Sequence, residues 1–434
     1  MDIRTIRLSE LSSKERYVLT QRSAVPEQSV RLAAEKIVAK IRSGGNRALT
    51  ETGLQYGGSL KGGGFRVSDA VRISAAKKIP HKVLKSLEIA RETISTVHSK
   101  QIPVEHSAEP TPGVSISRRW SPLRRVAAYV PGGGAAYPSS LLMAALPARL
   151  AGVSEIVVAT PANANGKVPD VVLAAADLVG ITEIYAMGGA QAIAALAYGT
   201  ETIQRVDKIV GPGNAWVTAA KLSVLGDVAI DLPAGPSEAL VVSDGTVDPR
   251  FVAADLICQA EHGSDTPVVL VTTDSNEIQR VLECIEAHLE TLKRASLIAE
   301  TLSNHGLVVV AENIESALDF ADDFAPEHLS LLTAEAELHA ESVVAAGSVF
   351  VGPWAPESAG DYATGANHIL PTGGQARGYG PLGVEDFGSW RQVQSISQKG
   401  LAALEETITT LAAAEGFDAH GLAASIRFAD LSEK

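Results

Sequence analysis

Cysteine is scarce in this chain: Cys258 and Cys284 are the only two among 434 residues. They form neither a CxxC pair nor a spaced framework, which excludes a disulfide scaffold and fits a reducing compartment. Long apolar runs are missing too, since no window reaches the roughly 18 uninterrupted apolar residues that a membrane span needs. The opening MDIRTIRLSELSSKER alternates charged and apolar residues and lacks the apolar core of a signal peptide. A cytoplasmic protein without a membrane partner is expected. Positive charge is in deficit, with 37 Lys and Arg against 50 Asp and Glu and a net charge of -13. Nucleic-acid binders concentrate cations to displace counterions, so no nucleic-acid partner is expected. What is present, 46% hydrophobic and 20% charged residues with 5% aromatics, is the composition of a globular enzyme. Single cores stop growing well below this length, so at least two domains are expected.

From about Pro26 to Gln101 the chain reads as helix, with Leu32, Ala33, Ile37, Val38 and Ile41 at the 3.6-residue period. Beyond a proline-containing stretch at 102–113 the pattern changes. Short apolar runs at 126–130, 155–159, 183–187 and 207–210 alternate with helical segments at 140–150, 170–178, 190–198 and 214–225. A second set of runs follows near 239–242, 268–271, 307–310 and 348–351. Strands apolar throughout and separated by helices predict an α/β fold of parallel sheets flanked by helices. A helix over about 249–262 carries its own punctuation: Asp248 to cap it, Pro249 in its first turn and Gly263 to end it. After Gly352 comes the irregular, glycine-rich PESAGDYATGANHILPTGGQARGYGPLG, of a kind that is more often functional than idle. Helix returns at 400–414 and 418–427.

Several residues could carry chemistry. In QAEHG, Gln259 and His262 are three apart on the expected helix, so they share a face and could meet one metal ion. A histidine at a helix end equally satisfies the helix dipole. Cys258, four residues before His262, could join it as a thiolate ligand or lie buried as a small hydrophobe. In FAPEHLSLL, Glu327 and His328 follow Pro326, which places them in a loop. Asp361 in SAGDYATG and His420 in EGFDAHG are weak signals when read singly. VPGGG (130–134) stands between a strand and a helix, where phosphate-cradling turns occur, but it is not the GxGxxG fingerprint. GPGN (211–214) repeats the arrangement, with Asn214 able to cap the next helix and leave backbone N–H groups for an anion.

Read together, these segments resemble the histidinol dehydrogenase family from about Val126 through His420. The resemblance rests on AYVPGGGAAYPSSLLMAALPARLAG, GGAQAIAALAYGT, VDKIVGPGN, IDLPAGPSEALV, ADLICQAEHG, APEHL, GSVFVGPWAPESAGDYATGANHILPT and LAAAEGFDAH, in that order. It implies that Gln259, His262, Asp361 and His420 hold one Zn²⁺ per subunit, a nitrogen and oxygen set that suits zinc. It implies that Glu327 and His328 are the acid–base pair and that Tyr129, Gln191 and Asn214 contact NAD. Substrate contacts would be Ser237 and Glu415 together with Gln259, His262, His328, Asp361 and His420.

The fold implied by the resemblance has two incomplete Rossmann-like domains and small helical terminal domains exchanged across a homodimer, with active sites shared between the subunits. On this reading residues 26–105 and 238–380 form one Rossmann-like domain that carries most zinc and catalytic residues, and 106–237 form the NAD-binding one. Residues 1–25 pack with a C-terminal exchange tail at 381–434. Two features depart from the family's usual pattern: Cys258 stands where serine is common, and RGYGPLGVEDF varies a segment usually closer to SGLSVDDF.

The implied reaction takes L-histidinol through L-histidinal to L-histidine with two NAD⁺, in the last steps of histidine biosynthesis. Imidazole titrates in a useful range for taking the hydroxyl proton, which suits His328, and Glu327 could activate the water that adds to the aldehyde. Attack by Cys258 is the alternative, disfavoured because nothing nearby lowers its pKa. Three other readings stand beside this one: a related zinc and NAD dehydrogenase of another small hydroxylated compound, a zinc hydrolase using Glu327, and a metabolite-binding protein without turnover.

Overall fold

A computed structural model describes residues 3–62, 64–132 and 135–429. Gly133 and Gly134 of the VPGGG motif lie outside the described residues. In chain order the first strands are β1 (Arg4–Arg7), β2 (His106–Thr111), β3 (Val114–Pro122) and β4 (Arg125–Tyr129). Next come β5 (Glu155–Thr160), β6 (Glu183–Ala186), β7 (Lys208–Val210), β8 (Ala229–Ile230) and β9 (Ala239–Ser243). The last are β10 (Val268–Thr272), β11 (Gly306–Val310), β12 (His328–Leu332), β13 (Ser348–Val351) and β14 (Gly388–Ile396).

The chain divides into two compact units, residues 1–101 with 123–387, and residues 102–122 with 388–434. The larger unit holds two all-parallel sheets, as the apolar runs predict. One has five strands in the order β6-β5-β4-β7-β8, the other six in the order β1-β11-β10-β9-β12-β13. Every residue of β4, β9, β10 and β12 is buried, because helices cover both faces. No described helix is long and apolar enough to cross a membrane.

Two parts of the chain pack differently from expectation. Residues 26–105 do not join the sheet of 238–380. Ala34, Val38, Ile41 and Leu49 of the helical segment Gln28–Tyr56 instead share one core with Ile193, Leu196 and Val217, over the five-stranded sheet. An amphipathic stripe shows that a helix is covered without showing by what. That segment bends at Gly45, whose φ of 53° leaves the helical region and makes room for the Glu201 carboxylate, which accepts from the Asn46 amide at 2.7 Å. Residues 3–25 likewise belong to the larger unit. Its β1 pairs in parallel with β11, and Arg22 reaches Glu238.

The smaller unit is mixed rather than helical. Its antiparallel sheet runs β14-β3-β2, with Trp120 opposite Trp390 and their rings edge to face at 5.4 Å. Helices Gln398–Glu415 and Asp418–Ser425 complete it. These strands are largely exposed and polar, so they offer none of the apolar runs by which the parallel strands announce themselves.

Candidate active site

A cavity of about 450 Å³ lies in the larger unit. Parallel sheets present their strand ends where the strand order reverses, which for the five-stranded sheet is between β4 and β7. The carboxyl ends of those two strands, at Tyr129 and Gly211, line the cavity. Gly211 has φ 118°, and a Cβ there would collide with the Tyr129 carbonyl, so no other residue fits this turn. Its amide donates to Asp231 at 2.7 Å and its carbonyl accepts from Lys221 at 3.1 Å, and the Lys221–Asp231 ion pair is buried behind it. Asn214 then caps helix Ala215–Val224, accepting from the Trp216 and Val217 amides at 3.1 and 3.2 Å. Tyr129 is buried, and its hydroxyl accepts from the Gly189 amide at 3.1 Å, at the turn that begins the helix carrying buried Gln191.

The six-stranded sheet faces the cavity with the opposite ends of its strands. Ser237 and Glu238 precede β9 and Glu327 precedes β12, which His328 opens, so His328 lies on a buried strand rather than in the loop expected after Pro326. Glu327 is buried, and its Oε2 accepts from Ser237 Oγ at 2.6 Å and from the Glu238 amide at 2.9 Å. His328 is buried with its Nδ1 3.2 Å from the Glu238 carbonyl. A carbonyl can only accept, so Nδ1 carries the proton; Nε2 has no partner among the described residues. Burial pushes the Glu327 carboxyl well above the usual carboxylate range, against the pull of its two donors. The same burial, aided by His262, lowers the His328 imidazole to about 3.

Gln259 lies on helix Pro249–Ala260, which stops two residues before His262. The pair therefore does not share a helix face as expected; His262 turns back so that its Nδ1 lies 3.2 Å from the Gln259 carbonyl. Asp361 sits on the short helix Glu357–Tyr362, in the segment read as irregular. Ligand atoms of His262, Glu357 and Asp361 lie within 4.8 Å of one another. Glu357 is the residue that sequence reasoning missed. It precedes Asp361 by one helical turn, a spacing that places both on one face only once PESAGDY is known to be helical. His368 supports Asp361, its Nδ1 3.2 Å from the Asp361 carbonyl and 3.7 Å from Oδ1.

This group fits a cation. Both polar atoms of the fully buried Gln259 side chain and Oε1 of buried Glu357 have no hydrogen-bond partner among the described residues. The two oxygens among them, Gln259 Oε1 and Glu357 Oε1, are buried, uncompensated acceptors beside clustered carboxylates, which are costly unless a positive charge meets them. Burial accordingly raises the Glu357 and Asp361 carboxyls. Cys258 is outside the group of possible ligands, and burial followed by Glu357 and Asp361 pushes its thiol upward, which disfavours a thiolate. Glu415, at the end of helix Gln398–Glu415, and His420, on helix Asp418–Ser425, belong to the smaller unit, where both are exposed.

Fold and site define an α/β enzyme with a buried acid–imidazole pair beside a metal-competent cluster of carboxylates and histidine. The family model for histidinol dehydrogenase matches residues 20–428. Histidinol dehydrogenase of Methanothermobacter thermautotrophicus is 42% identical over 416 residues, covering 96% of this chain and 97% of that protein. That of Halobacterium salinarum is 43% identical, covering 98% and 99%. The crystal structure of histidinol dehydrogenase from Elizabethkingia anophelis superposes with a TM-score of 0.92 at 37% identity, over 98% of each chain. The chain belongs to the histidinol dehydrogenase family.

Proposed function

We propose that this protein oxidises L-histidinol to L-histidine through L-histidinal in the cytoplasm, with zinc and two molecules of NAD⁺. The observation that carries this reading is the buried Glu327–His328 pair, held by Ser237 and Glu238 on the cavity that also meets His262 and Asp361. The bare Nε2 of His328 takes the hydroxyl proton as the alcohol carbon loses its hydride. Glu327, ionised once the zinc charge is present, draws a proton from the water that adds to the aldehyde, and the hydrate gives up the second hydride. Each oxidation removes two electrons, so the acid forms with four electrons lost.

Zinc, held by Gln259, His262 and Asp361 with His420, supplies the positive charge that balances this acidic cluster and a point of attachment for the substrate's imidazole and amine. NAD⁺ supplies the hydride acceptor beside Tyr129, Gln191 and Asn214, where the Gly211 turn brings backbone close to a helix N-terminus. Ser237 adds a hydroxyl to the substrate's surroundings. His420 and Glu415 come to each site from the second subunit of a homodimer, a reading supported by the family resemblance and by their place in the smaller unit.

Purified protein given zinc, NAD⁺ and L-histidinol should form two NADH per substrate with little free aldehyde. One NADH with accumulating aldehyde would remove the water-activating role of Glu327, and no NADH at all would sink the reading.

A further inference from the structure

Glu238 connects both members of the acid–base pair to the amino-terminal segment. Its amide donates to Glu327 Oε2 at 2.9 Å, and its carbonyl stands 3.2 Å from both the backbone nitrogen and the Nδ1 of His328. One peptide-linked residue thus fixes where the carboxylate sits and which imidazole nitrogen carries the proton. The Glu238 side chain is itself clamped. Arg22 Nε donates to Oε2 at 2.8 Å and Arg22 Nη2 to Oε1 at 2.6 Å, while the Gly373 amide donates to Oε1 at 3.0 Å. The guanidinium is fixed in turn, lying 3.3 Å over the Phe324 ring and donating through Nη1 to the Phe324 carbonyl at 2.7 Å.

The pair is well buried, with 14% of the Arg22 side chain and 2% of the Glu238 side chain exposed. A buried ion pair is a poor source of net stability, because desolvation cancels much of the attraction, yet its planar two-point geometry locks orientation. We propose that Arg22 and Glu238 are positioning residues for catalysis, which hold the Glu238 peptide so that Glu327 is correctly placed and His328 presents a bare Nε2 to the substrate. The inference rests on the acid–base roles of Glu327 and His328. It adds that a residue from the amino-terminal segment, far in sequence from Glu327 and His328, sets the protonated nitrogen of the base.

The test uses full-length, zinc-loaded protein carrying Arg22→Met or Arg22→Lys, with a thermal melt to confirm that each is folded. Lysine keeps the charge but not the two-point geometry, so it should rescue melting temperature better than turnover. In Arg22→Met, kcat for L-histidinol should fall at least tenfold while KM for NAD⁺ and zinc content stay within twofold of the parent. Nitrogen-15 spectra of the histidine rings, with His328→Asn assigning the resonance, should show a single Nδ1–H form in the parent and a mixture in Arg22→Met. The spectra need no substrate, so they decide the positioning claim even if L-histidinol proves not to be turned over. A parent ring protonated at Nε2 overturns the proposal. So does an Arg22→Met protein that keeps the parent's ring form or, where the parent turns over L-histidinol, the parent's kcat. If Arg22→Met unfolds, the lysine variant carries the same two criteria.

Discussion

Glu327 and His328 are neighbours, yet burial moves their proton affinities in opposite directions, because it penalises whichever form of each carries charge. Without metal, the site therefore settles as a neutral acid beside a neutral imidazole. Asp255, one turn before Gln259 on the same helix, is raised by burial to about 6, and Glu357 and Asp361 are raised as well. A carboxyl raised in the folded state contributes stability that is complete below its unfolded value and is lost as pH rises through the folded one. The lowered His328 acts from the other side, removing stability as pH falls from its unfolded value towards about 3. As pH rises from the ordinary carboxylate range through about 6, the raised value of Asp255, metal-free protein should thus melt at progressively lower temperature, and zinc should flatten that slope. Equal slopes with and without zinc would place the cation elsewhere. At the same scale, His262→Ala should lose metal and activity together, and Glu357→Gln should weaken zinc retention by roughly tenfold or more on dialysis. Cys258→Ser should leave zinc content unchanged. Loss of zinc from the serine variant would bring the thiol into the ligand set.

At the level of elements, the two sheets meet the cavity differently. The five-stranded sheet offers the carboxyl ends of β4 and β7, where dinucleotides bind in such folds, whereas the six-stranded sheet offers the amino ends of β9 and β12. On the proposed reading, cofactor recognition and proton handling would thereby be divided between the two sheets. Gly211→Ala should disturb only the first, raising KM for NAD⁺ and costing about 1–3 kcal/mol of stability by denaturant titration, while zinc content holds. Unchanged cofactor affinity would remove the turn from the binding site. Most of the parallel strands were legible because burial on both faces demands continuous apolar runs, although Pro326 pointed to a loop where buried β12 begins, and Asn214 was legible as a cap because its chemistry is local. Neither condition holds for β1, β2, β3 and β14, which are edge or exposed strands, nor for helix Glu357–Tyr362, which is too short for its period to show. The end of helix Pro249–Ala260 two residues before His262 was hidden for another reason: its last turn is closed by backbone bonds, with no residue type to mark the spot. The Arg22–Glu238 clamp joins residues far apart in sequence, which no local pattern can reveal.

For the whole molecule, the sharing of sites between subunits is decided by mixing. Chains carrying His262→Ala and His420→Ala, differently tagged and co-expressed, should recover activity in the mixed dimer, because one site collects both lesions and the other none. With unbiased pairing about half the dimers are mixed, so roughly a quarter of all sites should be intact. Mixed dimers no more active than the single variants would show that each site is built within one chain. A different consequence follows from the pairing of Arg4–Arg7 with Leu307–Val310. On the ribosome, the early strand is finished about 15 to 60 seconds before its partner at ordinary elongation rates. It must spend that interval unpaired, when a bare apolar strand would invite other nascent chains to pair with it. RTIR has an arginine at each end and exposes both, which suits a segment that must stay soluble while it waits.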